Sequence, residues 1–135
     1  MRLVFDTNVL IAAFVSRGVC HELLEHCNRS HHVVSSDFIL REFEDKLRGK
    51  FKIPGHKAAA TAALIRSRAQ IVEPAPLPVP ICRDPDDDWI LATARTGECD
   101  CIVTGDKDLL VLDPFRGIRI MAPGAFWAYE VAQAP

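Results

Sequence analysis

Four aspartates, Asp84, Asp86, Asp87 and Asp88, fall within five positions of the stretch RDPDDDWI, directly ahead of the apolar run ILATA. Any one of them alone is accounted for as a helix cap or a complement to the helix dipole. A crowd of them raises a different chemistry, because like charges in a low-dielectric cleft repel strongly unless a cation sits among them. Three more acids suit the same chemistry. Asp6 closes the strand-like RLVFD, with Thr7 and Asn8 following at a helix start. Asp106 stands in the matching place after CIVTG. Glu42 lies three residues after Ile39 and beside Phe43, at the margin of an apolar face made by Ile39, Phe43 and Leu47.

The 87–98 segment sorts its own acids by helical spacing. Its inward stripe runs Ile90, Leu91, Ala94, and Asp87, three and four positions earlier, extends that stripe. Asp88 is turned about 100° away, towards Leu91, Ala92 and Arg95. Asp84 and Asp86 precede the first turn and are left to cap. Four converging carboxylates, Asp6, Glu42, Asp87 and Asp106, suit a hard cation such as Mg²⁺ or Mn²⁺, which takes carboxylate and water oxygens and keeps positions open for phosphate. Phosphodiester hydrolysis is the chemistry such a site performs.

The elements that must position these residues follow from hydrophobic periodicity. Strands are expected at 2–6, 32–36, 70–73, 101–105 and 118–121. Helices are expected at 8–15, 19–28, 36–49, 56–69, 87–98, 106–112 and 124–134. The helix over 36–49 opens on capping residues and ends on Gly49. Residues 73–85 carry five of the nine prolines, so they form a stiff, extended connection and not a central strand. Strand–helix alternation implies an α/β fold, a three-layer α/β/α arrangement on a central parallel sheet, as one domain over 1–135. In such folds ligands sit outside the carboxyl ends of the strands, where Asp6 and Asp106 fall.

A net charge of −2 excludes a globally basic nucleic-acid binder, but the charge is unevenly spread. Residues 41–68 hold eight Lys/Arg against three acids, a local +5 that leaves the remainder at −7. Such a basic limb, with Lys46, Arg48, Lys50 and Lys52 nearest the Glu42 segment, suits contact with a polyanion; a solvated helical face is the plainer account. Five cysteines in no framework spacing, an opening MRLVFD without a signal-like apolar region, and no bilayer-length apolar run lead to the expectation of a reduced, cytoplasmic protein with no membrane partner.

The blocks MRLVFDTNVLIAAF, Glu42 on its helix, DPDDDWILATA and CIVTGDKDLLVL, in this order and spacing, resemble the PIN-domain nucleases, and within them the toxin components of bacterial toxin–antitoxin pairs. The resemblance spans essentially the whole chain. It implies a metal-dependent endoribonuclease using Mg²⁺ or Mn²⁺, with an RNA substrate, an antitoxin partner and homodimerisation. It carries the family's acids onto Asp6, Glu42, Asp87 and Asp106, with Asn8 and Thr104 in support. Asp6 and Asp87 would bind the metal most directly, Asp106 directly or through water, and Glu42 would orient the attacking water or hold a second ion. Aligning ILATA favours Asp87, with Asp88 the other register; Asp108 goes to helix capping. A non-catalytic PIN-like scaffold is the alternative function. An acid-cluster phosphatase is a weaker one, since Asn8 stands where a phosphatase of the haloacid-dehalogenase type needs a second aspartate.

Cys20, His21, His26, Cys27, His31 and His32 invite a zinc reading. Cys20 and Cys27 at i, i+7 lie about 10 Å apart, too far for one tetrahedral ion, so core thiols and surface imidazoles are expected. Trp89, Phe126, Trp127 and Tyr129 are assigned to core or interface.

Overall fold

A computed structural model describes residues 1–134. Five strands form one all-parallel sheet: β1 (Arg2–Phe5), β2 (His32–Ser35), β3 (Gln70–Ile71), β4 (Cys101–Val103) and β5 (Arg119–Met121), in the order β3-β2-β1-β4-β5. Seven helices accompany them: α1 (Thr7–Val15), α2 (Val19–Ser30), α3 (Asp37–Gly49), α4 (Gly55–Arg68), α5 (Pro85–Thr96), α6 (Lys107–Leu110) and α7 (Phe126–Gln133), the last entered through a 3-10 turn at Pro123–Ala125. No helix among the described residues is long and apolar enough to cross a membrane.

The chain begins in the middle of its own sheet. β1 pairs with β2 on one side (Leu3 opposite Val33) and with β4 on the other (Val4 opposite Ile102). From β1 the chain winds outward through β2 to β3, then crosses back to lay down β4 and β5. Right-handed crossovers put α1–α4 on one face and, because the direction of travel reverses, α5 and α6 on the other. Leu3, Val4, Phe5, Ile102 and Val103 are essentially inaccessible, as parallel strands covered on both faces must be.

The expected elements all appear, with ends shifted by at most two residues. α3 ends on Gly49 as expected; Lys50 caps it, and the left-handed residue that follows is Lys52, at φ 56°. Val72 continues from β3 with its N–H donating to Ser35 O at 2.9 Å. The proline-rich connection is then fastened by the Ala75 N–H donating to Thr96 Oγ1, 2.9 Å.

α5 packs closest to the sheet at its end. Gly97 is buried there, and a methyl group on its Cα would stand 2.7 Å from Val34 Cγ1 and 3.3 Å from Cys99 Sγ. Val34 is itself fully buried and cannot swing away. Gly97→Ala is therefore expected to destabilise the fold by about 1–3 kcal/mol, read as a lowered denaturation midpoint with an unchanged urea slope.

Candidate functional site

The strand order reverses at β1, so a crevice opens between the carboxyl ends of β1 and β4. Asp6 follows β1 directly. Its backbone N–H donates to Val103 O at 2.9 Å, so the last rung of the sheet fixes it. It is buried, and it caps α1 by accepting from the Asn8 N–H. The fully buried Thr104, which follows β4, donates its hydroxyl to Asp6 Oδ2 at 2.6 Å. The same hydroxyl oxygen accepts the Asp106 N–H at 3.0 Å. One threonine thus binds the ends of the two central strands together and sets the spacing of Asp6 and Asp106.

Asp106 caps α6, accepting the Asp108 N–H at 2.9 Å. The third strand of the argument comes from α5. Asp84 is its N-cap, accepting the Asp86 N–H at 2.9 Å, and Pro85 occupies the first turn where no N–H is required. Asp87 then projects towards the other acids: oxygens of Asp87, Asp106 and Asp108 all lie within 4.8 Å of one another. Burial, followed by the charges of Asp106, Asp84 and Asp6, pushes the Asp87 carboxyl up to about 7. The shift reflects like charges gathered at short range in a partly buried place. Asp88 is occupied elsewhere, accepting the N–H groups of Ile81 (3.3 Å) and Cys82 (2.8 Å) to pin the end of the proline-rich segment. Of the two neighbours, Asp87 is the one that lies with Asp106 and Asp108.

Glu42, on α3, sits against Thr7, the residue after Asp6, and outside the group formed by Asp87, Asp106 and Asp108. Thr7 donates its hydroxyl to Glu42 Oε1 at 2.5 Å. Burial raises the Glu42 carboxyl above its ordinary value and neighbouring Asp86 adds to this, while Thr7 and Lys46 oppose it. Lys46, placed by periodicity with the solvated residues, instead reaches Asn8 Oδ1 at 3.3 Å. Together with Phe38, Arg41, Lys50 and Asp86, Glu42 and Lys46 line an open cleft of about 640 Å³. Of the other basic residues of this limb, Arg48 is held by Asp45 at 2.5 Å, while Lys52 stands exposed beyond α3.

Asp86 and Asp108, both expected to cap helices, do otherwise, and Arg83 was not singled out from spacing. Asp86 caps nothing; it turns to Glu42. Asp108 joins the acidic cluster, and Arg83 donates to both its oxygens at 2.8 and 3.0 Å. The only hint in the sequence is that Asp108 lies two residues after Asp106, so the two share a tight turn.

The raised Asp87 carboxyl gives a signed expectation. The unfolded chain loses this proton near 3.8 and the folded chain near 7, so between those values the native state holds the extra proton and stability falls as pH rises. In chelator, the melting temperature should drop between about pH 5 and pH 7.5. Asp87→Asn should flatten that slope and raise the neutral-pH melting temperature by about 2–6 °C, and Mg²⁺ or Mn²⁺ should do the same for the unaltered chain.

Comparisons with known proteins agree with this architecture. Among solved structures, VapBC2 from Rickettsia felis, bound to a DNA fragment from its promoter, superposes with a TM-score of 0.63 at 13% identity, covering 89% of this chain and 97% of that one. VapBC-1 from nontypeable Haemophilus influenzae gives 0.63 at 16%, covering 92% and 99%. The Sarcin-Ricin loop cleaving toxin VapC20 of Mycobacterium tuberculosis gives 0.56 at 18%, covering 78% and 91%. No curated protein matches. The sequence model of the PIN domain matches residues 2–108, which include both strand-end aspartates, the α3 glutamate and the whole of α5. The chain belongs to the PIN domain family.

Proposed function

We propose that the protein is a divalent-metal-dependent endoribonuclease and the toxin of a toxin–antitoxin pair. The observation that carries the reading is the meeting of Asp87, Asp106 and Asp108 beside buried Asp6, at the crevice where the strand order reverses. The donor set fits Mg²⁺ or Mn²⁺: it is all oxygen, carries excess negative charge, and holds one carboxyl that burial and its neighbours keep protonated to about pH 7. Asp6, Asp87 and Asp106 would hold the ion. A cation bound there supplies charge neutralisation at the scissile phosphate and an acidified water.

The chain's own groups do the rest. Thr104 fixes the Asp6 carboxylate through a buried hydrogen bond, so it presents one oxygen in one direction. Glu42, steadied by Thr7, is placed to accept a proton from the attacking water, and its raised affinity for protons suits that task near neutral pH. Lys46 and Lys50 on the cleft wall would bind the backbone phosphates, with Arg48 and Lys52 extending the positive strip. The toxin assignment, the antitoxin partner and a homodimer rest on likeness to the toxin-antitoxin complexes among the structural neighbours.

Cleavage of a mixed RNA pool is expected with Mg²⁺ or Mn²⁺ and not with EDTA, and Asp6→Asn should lower it by at least about 100-fold. No cleavage by well-folded protein, with no metal binding by calorimetry, would favour a non-catalytic binding scaffold. Replacing both Lys50 and Lys52 by Glu should weaken RNA binding and reduce its salt dependence by about two charges' worth; unchanged affinity would remove the basic strip from the interface.

A further inference from the structure

The sheet has a second cluster of metal-ligating side chains, at the end opposite the acids. His26 on α2, His31 at the C-cap of α2 and Glu130 on α7 converge although 104 and 99 residues separate the glutamate from the two histidines. His26 Nε2 and His31 Nε2 both donate to the same oxygen, Glu130 Oε2, at 2.6 and 2.5 Å. Met1 sits beside them, its amino group donating to His31 Nδ1 at 3.0 Å. β1 runs from this point to Asp6, which puts the two clusters about 16 Å apart along the strand.

We propose that His26, His31 and Glu130 form a second metal site, for a transition-metal cation of the Zn²⁺ class, independent of the acidic cluster. Two imidazole nitrogens and one carboxylate oxygen, with a fourth position open to water, are a tetrahedral zinc donor set. Imidazole nitrogen favours Zn²⁺ over Mg²⁺, so the chemistry of the donors separates this site from the all-oxygen crevice. The donor atoms already lie within 4.8 Å of one another. Tetrahedral coordination places donors about 3.3 Å apart, so each Nε2 needs to move less than about 1 Å from Glu130 Oε2.

The rings are held in place for this. His26 lies 4.9 Å from the Trp127 ring, His31 packs edge-on against buried Phe126, and the two imidazoles meet edge-on at 5.6 Å. The hydrogens now on the two Nε2 atoms point at the shared carboxylate oxygen, and a cation takes their place: each ring keeps one proton, moved to Nδ1. His31 Nδ1–H then donates to a Met1 amine that has released one proton to solvent, a contact that still fixes the ring with Nε2 facing Glu130. Cys27, on the same helix, is fully buried and lies outside the group of converging donor atoms. A cation here ties α7 to α2 and to the start of the sheet, which makes its role architectural.

The test uses the full chain with Co²⁺ and Zn²⁺ as probes, beside Asp87→Asn, His26→Gln, His31→Gln and Glu130→Gln. Co²⁺ should give an intense tetrahedral visible band, and Zn²⁺ a rise in melting temperature, in both the unaltered chain and Asp87→Asn. Both signals should be lost in His26→Gln and Glu130→Gln. In case those variants fold poorly, a ring-proton NMR titration of the unaltered chain decides. Zn²⁺ should move the resonances of His26 and His31 while those of His21, His32 and His56 stay in place. A band that survives in the histidine variants, or His26 and His31 resonances that do not respond to Zn²⁺, would overturn the proposal and leave a hydrogen-bonded clasp.

Discussion

Carboxylates held close together at the edge of an apolar sheet repel one another, and the arrangement persists only because each is anchored by groups that cannot let go. Asp6 is fixed by the last rung of the sheet and by a buried hydroxyl; Asp106 by the same hydroxyl and by the turn it caps; Asp87 by a helix whose start is set by Asp84 and Pro85. Every anchor doubles as ordinary fold chemistry. The caps satisfy backbone N–H groups that would otherwise be orphaned, and the positive ends of α1 and α5 offset part of the negative charge gathered in front of them. What remains uncompensated is concentrated on Asp87 and Glu42, the two carboxyls whose proton affinity rises.

Arg83 and Lys46 show how the surroundings moderate this charge without cancelling it. Arg83 pairs with Asp108 at the outer rim, where the guanidinium is largely in solvent, and such a pair contributes little to stability. Lys46 reaches Asn8 and not an acid. Arg83 and Lys46 are spent on Asp108 and Asn8, so the carboxylates of Asp6 and Asp87 keep their charge while the rim is softened. The same separation of tasks divides the aspartates of RDPDDDWI: Asp84 starts the helix, Asp88 holds the incoming loop, Asp87 faces the other acids and Asp86 turns to Glu42.

Local pattern was enough to recover what local pattern encodes. Short apolar runs alternating with amphipathic segments gave the parallel sheet, and the strand-end rule brought Asp6 and Asp106 to one edge. Helical spacing separated Asp87 from Asp88, because a 100° turn decides which of two neighbours faces inward. Spacing failed where the partner lies far along the chain. Nothing near Lys46 announces Asn8, 38 positions earlier, and nothing near His26 or His31 announces Glu130. Of the imidazoles expected at the surface, His26 and His31 are half-buried for that reason, while His32 is exposed. The glycine that closes α3 was legible, since the helix ends on Gly49, but nothing local announced the left-handed turn three residues later, on Lys52.

The sheet's winding order also bears on when the crevice comes into being during synthesis. Its first strand is its middle one, and that strand's far-side neighbour, β4, is made nearly a hundred residues later. Thr104 and Asp106, which complete the acidic edge, are translated about a hundred residues after Asp6. A nascent chain that has not yet reached β4 holds Asp6 and Glu42 without the strand end that closes the crevice. Whatever chemistry the acidic edge performs is withheld from the translation machinery until β4 has been made.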